Sequence, residues 1–176
     1  MNTKQRGDVA EQAAVLEALK HGWSVLRPIG DHLPYDLVFD ISGRLVKVQV
    51  KCAWFDQPSQ NYVADNRRTK TNRRQMVREP YRESDFDYAL VYLPEKNVFY
   101  VYPVSVFIGF GSEIHMVETE RRQRKPRSAA YRDAWNLIAP WAPQGEISVG
   151  TPVKFGEAGS RVIPSQALSE LLMEKV

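Results

Sequence analysis

Tyr35–Trp54, YDLVFDISGRLVKVQVKCAW, reads as a β-hairpin with one apolar face and one polar face. Its arms, Tyr35 to Ile41 and Arg44 to Cys52, flank Ser42-Gly43, a two-residue turn of the kind that closes antiparallel hairpins. With that turn Ile41 faces Arg44 and Asp36 lies opposite Gln49, roughly 5 Å away at Cβ, with Lys51 its diagonal neighbour. Side chains alternate along a strand, so Val46, Val48, Val50 and Cys52 point one way and Lys47, Gln49 and Lys51 the other. Two readings compete. The polar face is solvated and carries a surface ion pair of little worth; or it is a metal site. In the second, Asp36, the Gln49 side-chain oxygen and a strand carbonyl are hard oxygen ligands suited to Mg²⁺, and Lys51 orients or helps deprotonate a bound water. The hairpin alone leaves both open.

The first twenty residues bear on the choice. RGDVAEQAAVLEALKHG predicts a helix opening near Gly7-Asp8 and ending at Gly22, with His21 at the negative end of the dipole. Val9, Ala10, Ala13, Ala14, Val15, Leu16, Ala18 and Leu19 surround most of the circumference, which predicts a largely covered helix. Glu11 shares a stripe with Ala14, Val15 and Ala18. It stands either at the exposed edge or in a polar pocket, where a carboxylate needs a partner and a divalent cation would serve.

A G-D-x-A-E helix, a strand carrying Asp36 and a paired strand reading V-Q-V-K resemble the PD-(D/E)XK nuclease superfamily, and within it the group I intron-encoded homing endonucleases. Pro34-Tyr35-Asp36 stands where Pro-Asp is usual, and Gln49 where Asp or Glu is usual, a replacement shared with the intron-encoded branch. The resemblance covers about the first 107 residues and extends more loosely to the Trp135 region. It implies an α/β fold with a restriction-endonuclease-like core, a mixed central β-sheet flanked by helices. It also implies phosphodiester hydrolysis. Glu11, Asp36, Gln49 and the Val50 carbonyl would hold one or two Mg²⁺ (or Mn²⁺) ions at the scissile phosphate, and Lys51 would position the attacking water. With Gln49 neutral, Glu11 matters more.

Composition narrows the alternatives. The 176 residues suffice for one domain with a proper core. No apolar run of about 18 residues is present and the N-terminus lacks a secretory apolar segment, so no membrane association is expected. The single cysteine, Cys52, fits a reducing intracellular, cytoplasmic setting and belongs on the apolar face of the second arm. Scattered His21, His32 and His115 give no zinc spacing and no Ser/His/Asp order, and no phosphate-cradling glycine loop occurs.

Net charge is only +3, but its distribution is uneven. Arg67, Arg68, Lys70, Arg73, Arg74 and Arg78 form one acid-free run; Arg121, Arg122, Arg124, Lys125 and Arg127 form another. Interspersed Asn66, Thr69, Thr71, Asn72 and Gln75 add groups that meet phosphates and base edges. Such a run is either a solvated loop or a nucleic-acid surface; beside a candidate phosphodiesterase site, double-stranded DNA is the expected partner. Trp54, Tyr62 and Tyr81 border the first run, as stacking platforms or as packing.

Elsewhere, Trp23 to Pro28, Phe86 to Leu93 and Val98 to Val104 predict strands, the last two joined by a turn at Pro94-Glu95-Lys96-Asn97. A short helix from Val104 to Phe110, an edge strand from Ile114 to Glu118 and a helix from Ser128 to Ile138 capped by Ser128 follow. Residues 1–140 are expected to form the nuclease domain. Residues 141–176, rich in Pro and Gly before an amphipathic PSQALSELLMEK, form an extension packing on the body or on a partner subunit. Three functions fit: a homing endonuclease acting as a homo-oligomer, dimer or tetramer, since one site cuts one strand; a resolvase, repair or restriction nuclease on the same fold; or a non-catalytic DNA-binding module with a decayed site.

Overall fold

The computed structural model describes residues 2–30, 32–71, 76–119 and 125–140. The chain begins with helix α1, Thr3–Lys20. It starts earlier than expected because Asn2 caps it: the Asn2 side chain accepts the Gln5 N–H at 2.9 Å and the Gln5 side chain accepts the Asn2 N–H at 3.1 Å, a reciprocal capping box. The helix is also less covered than its apolar content suggested. Ala10, Ala14 and Ala18, one per turn, are fully buried, while Leu16 and Leu19 are more than half exposed. Small alanines let the helix axis approach the sheet closely, and the larger residues are left on the outer face.

Strands β1 (Ser24–Leu26), β2 (Leu37–Ile41) and β3 (Arg44–Cys52) run antiparallel, and β3 then pairs in parallel with β8 (Tyr88–Leu93), which forms a hairpin with β9 (Val98–Pro103). The result is a five-stranded mixed sheet in the order β1-β2-β3-β8-β9. The Ser42-Gly43 turn is a two-residue turn with both φ values positive, 54° and 85°, and Ile41 pairs with Arg44 as expected.

The crossover from β3 to β8 explains why the polar face of the hairpin is not solvated. Between them the chain builds β4 (Trp54–Asp56) and β5 (Asn61–Asp65), joined by β10 (Glu113–Met116) into a three-stranded sheet, and a separate ribbon of β6 (Arg67–Thr71) and β7 (Met76–Pro80). This layer, with Phe107 of α2 (Val104–Ile108), packs on the second face of the central sheet. Two cores result. Leu37, Phe39, Val46, Val48, Val50, Leu90 and Trp135 meet the alanine stripe of α1 on one side. Tyr62, Tyr81, Phe86, Ala89, Val91 and Tyr102 cluster on the other. A parallel strand covered on both faces reads as a continuous apolar run, as YALVYL in β8 does.

The Ser128–Ile138 helix is replaced by two short 3₁₀ turns, Arg127–Tyr131 and Trp135–Leu137. Between them Arg132 bridges to Tyr100 and Asp133 takes φ +49°, with its N–H donating to Phe99 O at 2.7 Å and its carboxylate accepting Phe99 N–H at 3.1 Å. The segment caps the β9 edge, a tertiary demand that overrides its helical periodicity. Ser128 does not cap, and its buried hydroxyl makes no hydrogen bond. Trp135 and Ile138 are buried as the periodicity indicated. Among the described residues no helix is long and apolar enough to cross a membrane. The expected extension 141–176 and Arg73, Arg74, Arg121, Arg122 and Arg124 lie outside the described residues.

Candidate active site

The regular β2–β3 ladder ends at Leu37, paired with Val48. One residue before it, Asp36 sends its N–H to Val48 O at 2.9 Å and its carboxylate to the neighbouring strand. Asp36 Oδ2 accepts the Val50 N–H at 2.8 Å and the Gln49 side-chain Nε2–H at 2.5 Å. The side chains thus meet as the hairpin register predicted, although Asp36 has left the strand. Gln49 is 7% exposed, and its Nε2 also donates to the Val50 carbonyl at 3.1 Å. One amide nitrogen is therefore held between two oxygens of different residues.

Glu11 reaches the same place from α1. Arg6 fastens this helix to the end of β3 by donating Nη2–H to Ala53 O at 2.6 Å. Glu11 and Asp36 line one cleft of about 240 Å³ together with Arg27, Gly30, Leu33 and Tyr35. Glu11 is partly exposed, at 30%, and it is not alone: Arg27 Nη1 lies 3.2 Å from its Oε2. Burial raises the Glu11 carboxyl above its ordinary 4.5, the Asp36 charge adds to this, and Arg27 opposes it. Burial likewise raises Asp36 above 3.8 against the Val50 N–H, Lys51 and Arg27. In both, burial is the largest cause, so the cleft disfavours the charged form of each carboxyl.

Lys51 follows on β3. Its Nζ donates to the Arg67 carbonyl at 3.0 Å and lies 5.0 Å over the Tyr81 ring. Burial lowers its pKa from 10.5, with Asp36 and Asp65 opposing.

The donor set suits a hard divalent cation. Asp36 Oδ2 and the Val50 carbonyl converge on the partly positive Gln49 nitrogen, Glu11 faces the same cleft, and turning the Gln49 amide about its last torsion would present a fourth oxygen, a neutral one. Among the described residues no group of three or more His, Cys, Asp or Glu side chains comes together as a metal cluster.

The first basic run is a β-ribbon, not a loop. Arg67 is engaged by Asp65 through Nε at 3.0 Å and Arg78 by the same carboxylate at 3.1 Å, while Arg68 donates to the His32 carbonyl. Lys125 is exposed, and Arg127 stacks 4.3 Å over Phe110. Tyr62 and Tyr81 are buried in the second core and serve packing; Tyr81 meets Phe86 edge-on at 5.1 Å. Sequence reading missed Arg27 and Asp65. Arg27 sits just past a three-residue strand with no pattern to mark it, and Asp65 stands out only as the acid that precedes a basic run.

Residues 1–138 match the model of a family described as PD-(D/E)XK endonuclease. A solved structure of a bacterial homing endonuclease, I-Ssp6803I, is similar at 61% identity and a TM-score of 0.75, covering 80% of this chain and 95% of that one. No curated protein matches the chain. A helix-borne Glu11, an Asp36 at the strand entrance and a Gln49-Val50-Lys51 strand on a mixed sheet agree with the family match, and the chain belongs to the PD-(D/E)XK endonuclease family.

Proposed function

We propose that the chain is a site-specific, homing-type DNA endonuclease that hydrolyses phosphodiester bonds with Mg²⁺ or Mn²⁺ at Glu11, Asp36, Gln49 and the Val50 carbonyl. The observation that carries this reading is the convergence of Asp36 Oδ2 and Val50 O on a single point, 2.5 Å and 3.1 Å from Gln49 Nε2, in a cleft faced by a second carboxylate. A divalent cation held there supplies Lewis-acid polarisation of the scissile phosphate and offsets charge on the leaving oxygen. The residues do the rest. Asp36 is fixed by the Val50 N–H, which aims its Oδ2 at the point where the Val50 carbonyl also converges. Glu11, paired here with Arg27, would serve as a further ligand to the cation. Lys51, partly buried and directional, holds the attacking water and stabilises the charge that develops on the phosphoryl oxygens.

The basic ribbon β6–β7 supports double-stranded DNA as substrate. It begins at Arg67, whose carbonyl binds Lys51, so phosphate contacts by Arg67, Arg68 and Arg78 would lie beside the chemistry, and Lys70, Arg73 and Arg74 of the same basic run are proposed to bind DNA with them. Arg121, Arg122, Arg124, Lys125 and Arg127 would form a second contact zone. The close likeness to a bacterial homing endonuclease supports the homing role, and one site per chain supports a homo-oligomer, dimer or tetramer, for cutting two strands. The family match ending at residue 138 supports a nuclease body of residues 1–140 with residues 141–176 as an extension. The half-buried free thiol of Cys52 is consistent with intracellular work on DNA.

The test is nicking of supercoiled plasmid and cleavage of long duplexes with and without Mg²⁺. Wild type is expected to cut in a metal-dependent manner, while Asp36→Ala and Lys51→Ala abolish cutting and still shift the DNA in a gel. Cleavage surviving in both variants would overturn the site, and preferential cutting of four-way junctions would overturn the homing role.

A further inference from the structure

Asp65, the last residue of β5, takes no part in the chemistry described above, yet it organises the group on which Lys51 rests. Lys51 Nζ donates to the carbonyl of Arg67 at 3.0 Å. The N–H of that same Arg67 donates to Asp65 Oδ1 at 2.9 Å, and its guanidinium grips the carboxylate through Nε at 3.0 Å and Nη2 at 3.2 Å. From the opposite strand of the ribbon, Arg78 Nη1 reaches Asp65 Oδ2 at 3.1 Å. Asn66, between Asp65 and Arg67, is pinned as well: its Nδ2 donates to Phe107 O at 2.7 Å and Gly111 O at 2.8 Å. Asp65 thus ties both strands of the basic ribbon to the three-stranded sheet at the point where the ribbon touches Lys51. An ordinary Asx turn with half-exposed ion pairs would contribute roughly 0–1 kcal/mol and nothing more. What distinguishes this one is its neighbour, a partly buried lysine whose ammonium donates to the Arg67 carbonyl.

We propose that Asp65 is a positioning residue for cleavage: by clamping Arg67 and Arg78 it holds the Arg67 carbonyl that aims the Lys51 ammonium, and so couples the seating of DNA on the basic ribbon to the chemistry. The proposal rests on the reading of Lys51 as a catalytic group. It separates two effects that a scaffold role would join. Asp65→Asn removes a negative charge from beside two arginines and releases their guanidiniums toward phosphate, so DNA binding holds or strengthens. The same change lets the carbonyl drift, and displacement of a positioned group by about 1 Å is worth on the order of 100-fold in rate.

Binding by fluorescence anisotropy and single-turnover cleavage in Mg²⁺ are measured on wild type, Asp65→Asn, Asp65→Glu and Asp36→Ala, with thermal melts alongside. The expected result is an Asp65→Asn enzyme that binds DNA as tightly as wild type or tighter and cuts roughly 10- to 100-fold more slowly. Asp65→Glu, which keeps the anion, is expected to bind as wild type and cut at an intermediate rate, and it serves as the test should Asp65→Asn fail to fold. Cutting by Asp65→Asn at the wild-type rate, or parallel loss of binding and rate, overturns the proposal. Activity in Asp36→Ala would instead overturn the active-site reading beneath it; an inert Asp36→Ala beside a fully active Asp65→Asn removes the positioning role alone.

Discussion

Gln49→Glu restores the second acid usual in this family, and the structure says what it does to the metal-free protein. Gln49 Nε2 donates to Asp36 Oδ2 at 2.5 Å and to the Val50 carbonyl at 3.1 Å. A carboxylate in its place removes a hydrogen bond to a charged group, about 1.5–3 kcal/mol. It also sets two anions some 4 Å apart, about 4 kcal/mol at an effective dielectric constant near 20. Together these reach roughly 6 kcal/mol, but the pair has an escape: one carboxyl takes a proton, and its O–H then donates to the other as the amide did. From an ordinary Glu pKa near 4.3 that proton costs about 5 kcal/mol at pH 8 and about 1 kcal/mol at pH 5. The sign follows: the folded pair has a raised pKa, so stability is lost as pH rises and recovered in acid. For a chain of this size the penalties correspond to melting decreases of roughly 10–20 °C at pH 8 and 2–4 °C at pH 5. A divalent cation reverses the order, since it gains a second anion as ligand, and saturation at 100 times Kd adds about 2.7 kcal/mol. The assay is thermal unfolding of both proteins at pH 5 and pH 8, with and without Mn²⁺. A variant melting within about 2 °C of wild type at pH 8, or one stabilised by Mn²⁺ no more than wild type, would refute the account. Gln49 on this view lets the metal-free site fold without like-charge repulsion.

Cleavage is expected to weaken on acidification at pH values above the ordinary carboxyl range, because burial raises Glu11 above 4.5 and Asp36 above 3.8 and protons then compete with the cation. Stability of the metal-free protein moves the opposite way, rising as pH falls through those raised values, since the folded state binds the protons more tightly; rate–pH profiles at several Mn²⁺ concentrations beside melts check both signs. Arg68→Ala is expected to weaken DNA binding across sequences and to reduce the slope of log K against log salt by about 1, read from binding titrations at several salt concentrations.

The hairpin was legible because its turn chemistry and alternation are local. Ser42-Gly43 admits the two positive φ values of a tight turn, which sets Ile41 against Arg44 and brings Asp36 to Gln49. Where reading failed, the deciding contacts were remote. Nothing between Arg44 and Cys52 says that β8 will pair with β3 in parallel, or that the layer holding Tyr81 and Phe86 will bury Gln49. The Ser128–Ile138 segment has a helical stripe, yet Asp133 is claimed by the β9 edge through Phe99. Glu11 was placed on the right helix, but its Arg27 partner lies 16 residues away in sequence, beyond any local pattern. The helix start is legible in principle: Asn2 and Gln5 have the spacing of a capping box, although Gly7-Asp8 offers a second capping signal further along the chain.

The claim at the centre is that Asp36, Gln49 and the Val50 carbonyl form one side of a cation site that Glu11 completes. A crystal of the wild-type protein soaked in Mn²⁺ tests it most directly through anomalous scattering. The account predicts a peak at about 2.0–2.3 Å from Asp36 and the Val50 carbonyl, with Glu11 turned from Arg27 toward it and the Gln49 amide reversed so that its oxygen faces the ion. A Gln49 nitrogen still donating to Asp36, with Mn²⁺ bound elsewhere or not at all, would contradict it.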